Sequence, residues 1–186
     1  MLSAAVRRWY GERIFGPGGR GEVPQVFRPL AGAMTGRAVV EGCRGGGRNI
    51  LEVRLRVAAG RIEALQMACN LCSPPMVVAA DILGSWVLGR EAEEILGLDA
   101  GAEGTLTPWF DVLGAPERPA DAGEKFRYVL WAVQNALRQD RGEPSRPVPE
   151  FEASSSDGRH VPGDDVPGDD DPEADDPEED LQEETL

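Results

Sequence analysis

The chain has 186 residues, of which 41% are hydrophobic and 28% charged, and its formal net charge is −14. That charge is uneven: residues 143–186 hold 17 acidic and two basic side chains, which leaves 16 acidic and 17 basic side chains in residues 1–142. The near-neutral body argues against a nucleic-acid binder built on a basic domain, and about 140 residues are enough for one domain.

The first half of the body predicts a helix followed by an antiparallel hairpin. We expect a short helix over 3–15, a glycine-rich and proline-rich loop from 16 to 21, and a short strand over 37–41. Residues 50–57 alternate apolar and polar side chains, which is typical of a half-buried strand. A tight turn at Ala59 and Gly60 then leads into a second strand over 61–67, and two strands joined in this way form a hairpin.

The second half of the body predicts helices. Ser73 and Pro74 are start signals for a helix over 74–88, which Gly89 ends. A short helix over 91–96 and a loop-rich stretch over 98–118 follow, and 120–139 has a clean amphipathic stripe. The predicted fold class is α+β, with a small antiparallel three-stranded sheet and helices packed on one of its faces.

The acidic part of the chain predicts a disordered tail over 143–186, beyond a domain over 1–142. It repeats Val-Pro-Gly-Asp-Asp at 161–165 and 166–170 and has few apolar side chains. Prolines and a high density of like charge favour disorder. Such a tail acts as a solubilising appendage or, alternatively, as a docking arm for a basic partner, with binding that weakens as salt rises.

The sequence also predicts where the protein works. No apolar stretch approaches the roughly 18 residues of a membrane span, and the first residues lack the pattern of a signal peptide. We therefore expect a cytoplasmic protein without membrane contact. In that compartment the three cysteines are not expected to form a structural disulfide.

The cysteines are the candidate chemical groups of the body. Cys69 and Cys72 form a Cys-x-x-Cys pair where a predicted strand gives way to a helix, and the N–H groups and dipole at a helix N-terminus favour a thiolate. Thiolates bind iron and soft metals. Cys43 precedes the glycines that lead into the hairpin, so it could approach the same end of the sheet. The alternative is that these cysteines are small buried hydrophobic side chains.

The order of these features resembles that of the U-type iron–sulfur cluster assembly scaffolds, the family of IscU and the NifU N-terminal domain. The resemblance covers roughly residues 8–139. Its best segments are Gly-Arg-Ala-Val-Val-Glu-Gly-Cys at 36–43, the alternating strand at 50–57 and Gly-Arg-Ile-Glu at 60–63. Cys72 follows ten residues after Ile62, and the next helix ends at Gly89-Arg90.

The resemblance implies a function and a set of ligands. Such scaffolds hold a nascent cluster on three cysteines and one further ligand, take sulfur from a cysteine desulfurase and pass the cluster to recipient proteins. By this resemblance, Cys43 is the first scaffold cysteine and Cys72 the second. The stretch 121–127, which matches the position of the third, contains no cysteine. Cys69 would then replace the third cysteine, and Asp121 or Glu124 would supply an oxygen ligand for a transient iron–sulfur cluster, iron or zinc.

Two alternatives remain open beside a scaffold that is not an enzyme. In one, the site has been lost and the domain is a cluster-free adaptor or regulatory module. In the other, Cys69 and Cys72 form the site of a thiol oxidoreductase. The single histidine, His160, lies in the predicted tail, so a histidine-based catalytic triad in the body is excluded.

Overall fold

The computed structural model describes residues 2–15, 36–41, 50–69 and 72–147, and for 37–41, 50, 69 and 103 it describes the backbone alone. All of them belong to the first of two units into which the chain divides, Met1–Phe151. The elements, in chain order, are α1 Ala4–Trp9, a π-helical continuation Tyr10–Phe15, β1 Gly36–Glu41, β2 Ile50–Ala58, β3 Arg61–Cys69, α2 Pro74–Val87, α3 Ala92–Leu96, α4 Glu103–Leu113 and α5 Ala120–Asp140.

The hairpin of β2 and β3 follows from the alternation in the sequence. Leu55 pairs with Leu65 and Val53 with Met67, and all four side chains are buried. The intervening residues of β2 carry charge and meet water. Ala59 and Gly60 both have positive φ angles, 49° and 79°, the geometry of the tight turn that suits the twist of a hairpin.

The predicted sheet needs correction in its extent. The nine-residue strands β2 and β3 form a two-stranded hairpin, and its buried side chains are part of the core. β1 has six residues and pairs along the outer side of β2 as a short edge strand. Its first residue, Gly36, sits directly against the backbone of α5 at Ala136. The α+β class agrees with the structure, and the predicted three-stranded sheet is corrected to a hairpin of β2 and β3 with β1 as a short edge strand.

The loop-rich interpretation of 98–118 is wrong, because α4 occupies the middle of that stretch. Its buried side chains follow a helical period, at Leu106, Trp109, Phe110 and Leu113. Pro108 lies inside the helix, and a proline there counts against a helix when only the sequence is considered. The free energy gained by burying the side chains of α4 outweighs the local cost of the proline.

Three helices meet in an aromatic cluster. The ring of Trp86 on α2 lies 5.5 Å from that of Trp109 on α4, and Trp109 lies 5.7 Å from Phe126 on α5. Phe110 meets Phe126 edge to face at 5.4 Å. Such pairs contribute about 0.5–1.5 kcal/mol each beyond the area they bury, so this cluster holds α2 and α4 against α5.

The C-terminal end of α2 is fixed to the hairpin turn by backbone hydrogen bonds. Gly89 N–H donates to the carbonyl of Ile62 at 2.8 Å, Ile62 N–H donates to Arg90 at 3.0 Å, and Ala92 N–H donates to Gly60 at 2.8 Å. The 14 residues of α2 span about 21 Å, close to the roughly 23 Å from Ile62 to the end of β3. The N-terminus of α2 is therefore at the opposite end of the hairpin, where β3 ends at Cys69.

The first residues after α5 are held by a buried amide. Asn135 donates from its side chain to the carbonyl of Arg146 at 3.0 Å and accepts from Arg146 N–H at 2.9 Å. The predicted tail otherwise lies outside the described residues, and its disorder stays a prediction. None of the helices in the described ranges has both the length and the apolar character needed to cross a membrane.

Candidate metal centre at the end of the hairpin

Cys72 lies in the short connection between β3 and α2. Its side chain is half-buried and packs against the hydrophobic core. The sulfur is part of a disulfide bond, whose other half is not among the described side chains. The prediction that the cysteines form no disulfide is therefore wrong for Cys72.

The N-terminus of α2 offers the sulfur of Cys72 fewer N–H donors than the sequence suggested. Its first two residues, Pro74 and Pro75, have no N–H group. The next two N–H groups, of Met76 and Val77, both donate to the carbonyl of Ser73, at 2.9 and 3.2 Å. The first four residues of the helix therefore leave no uncommitted N–H for the sulfur. The helix dipole remains as the helix's contribution to a thiolate at Cys72.

The other two predicted cysteine ligands are described only in part. The backbone of Cys69 closes β3 opposite Leu51, so it lies at the same end of the hairpin as Cys72. The side chain of Cys69 and the whole of Cys43 fall outside the described residues. Their roles as ligands beside Cys72 stay predictions.

Asp121, one of the two predicted oxygen ligands, accepts two backbone hydrogen bonds and so acts as a tether between two helices. Its Oδ2 accepts from the N–H of Ser3 at 2.9 Å, and its Oδ1 accepts from the N–H of Ala122 at 3.0 Å. Ser3 is the N-cap of α1. The carboxylate thus fastens the start of α1 to the first turn of α5, where a negative charge also suits the helix dipole.

Glu124, the other predicted oxygen ligand, is paired with a cation. Its Oε1 lies 3.2 Å from Nζ of Lys125. Lys125 is only 7% exposed, and its ammonium group also lies 5.2 Å from the ring centroid of Tyr128. A buried lysine needs such a counter-charge, so the carboxylate of Glu124 stabilises the ammonium group of Lys125.

Among the described side chains, no group of three or more histidines, cysteines, aspartates and glutamates is placed to hold a metal ion. Among the described cysteine side chains, this end of the hairpin carries that of Cys72.

Two features of the site escaped the sequence analysis. The missing N–H donors were signalled by the two consecutive prolines at 74 and 75, which had been taken only as a helix start. The tether at Asp121 had no such signal, because its partner Ser3 is 118 residues away in the chain. A contact of that kind appears only once the helices are packed.

Comparison with known proteins gives matches in structure alone. No family model matches the chain, and no curated protein matches it. One similar solved structure is a hypothetical protein with 16% identity and a TM-score of 0.45, covering 72% of this chain and 95% of its own. Another is a nitrogen-fixing NifU-like protein (N-terminal) from Brucella abortus, with 15% identity and a TM-score of 0.46, covering 75% of this chain and 94% of its own. Similarities this low assign no function to the chain.

Proposed function

We propose that this chain is an iron–sulfur cluster scaffold or carrier, which binds iron or a nascent cluster on cysteines and passes it to recipient proteins. The observation that carries the proposal is the place of Cys72, which is half-buried in the connection between β3 and α2 at the end of the hairpin. The resemblance of the segments around Cys43 and Cys72 to the U-type scaffolds supports it. The role is binding and transfer rather than catalysis.

The surroundings of Cys72 suit a transient cargo. The side chain is half-buried and lies in a connection between two elements rather than inside one. A ligand in that position is partly shielded from water and still within reach of a donor or acceptor protein. A cysteine desulfurase as the sulfur donor and recipient proteins as acceptors are part of the proposal.

Anaerobic reconstitution tests the proposal. The reduced full chain is incubated with ferrous iron and sulfide, and visible absorption is recorded. We expect sulfur-to-iron charge-transfer bands in the wild type and their loss in Cys72→Ala. Ser85→Ala is the matched control, because Ser85 is an exposed residue of the same helix. An absence of bands in the wild type, or bands of equal strength in Cys72→Ala, would contradict the proposal.

The oxygen ligands can be tested in the same assay. Asp121→Asn removes a negative charge but keeps an oxygen that can accept from Ser3 N–H. Glu124→Gln likewise removes a negative charge and keeps an oxygen that can accept from Lys125. A ligand role for either carboxylate predicts weaker bands in its variant. Bands that stay unchanged in both would assign the remaining coordination to sulfur. Zinc added in place of iron gives no such bands and is measured by metal analysis of the desalted protein.

The commitment of Asp121 and Glu124 to structural contacts favours a second candidate, a cluster-free adaptor of the same fold. In that case the protein works through its surface and needs no thiol. A variant with all three cysteines replaced by serine would fold and bind its partners as the wild type does. Loss of partner binding in that variant, with an unchanged circular dichroism spectrum, would exclude the adaptor.

A further inference from the structure

We draw no further inference here: the strongest candidate, the buried amide of Asn135 near the C-terminal end of α5, already holds the backbone of Arg146 at 3.0 and 2.9 Å, and nothing in the described residues points to a second occupant.

Discussion

Gly36 is the point at which the edge strand touches the long helix, and a methyl group there should be costly. A Cβ at Gly36 would overlap the carbonyl oxygen of Ala136, and it would lie 2.9 Å from the carbonyl carbon and 3.0 Å from Cδ1 of Leu55. Two of these atoms belong to the backbone of α5, one turn before its C-terminal end, so they move only if the helix moves. Overpacking of a core costs about 1–3 kcal/mol even where side chains can adjust, and we expect Gly36→Ala to reach at least the middle of that range.

Urea unfolding followed by tryptophan fluorescence measures this cost. A loss of about 2 kcal/mol lowers the midpoint by roughly 1 M when the slope is about 2 kcal/mol per M. Gly104→Ala is the control, because a Cβ at Gly104, near the start of α4, meets no atom within 4 Å. Alanine is the better helix former there and should raise stability by roughly 0.5–1 kcal/mol. Equal midpoints for wild type and Gly36→Ala would refute the close packing of β1 on α5.

Three further predictions follow from contacts of the described residues. Asp121→Ala should lower the free energy of unfolding by about 1–2 kcal/mol by removing the acceptor for Ser3 N–H, whereas Asp121→Asn should lose less than half as much in the same urea assay. Gln134→Leu should cost about 1–3 kcal/mol, because the buried amide donates to two carbonyls at the end of α3, at 2.9 and 2.8 Å. Gly89→Ala should cost about 1–2 kcal/mol through its φ of 79° alone, since the site has open space; an unchanged thermal midpoint would contradict that reasoning.

The elements that the sequence predicted well are those fixed by local signals. The hairpin follows from a period of two over 50–57 and a turn at Ala59 and Gly60, and α2 begins at Pro74 as its capping signals indicate. The helix over 120–139 also matches α5. In β2 and α5 one face is apolar, so the pattern of side chains indicates which face is buried, whereas α2 is buried on most of its sides.

The features that the sequence missed depend on contacts between distant residues. α4 contains Pro108, a local helix breaker, and is a helix because Trp109 and Phe110 are buried against α2 and α5. Asp121 carries a charge that fits a metal ligand as well as it fits a tether, and only the packing of α1 on α5 decides between them. The position of Cys72 between β3 and α2 was predictable because it depends on local signals, the end of a strand and the start of a helix.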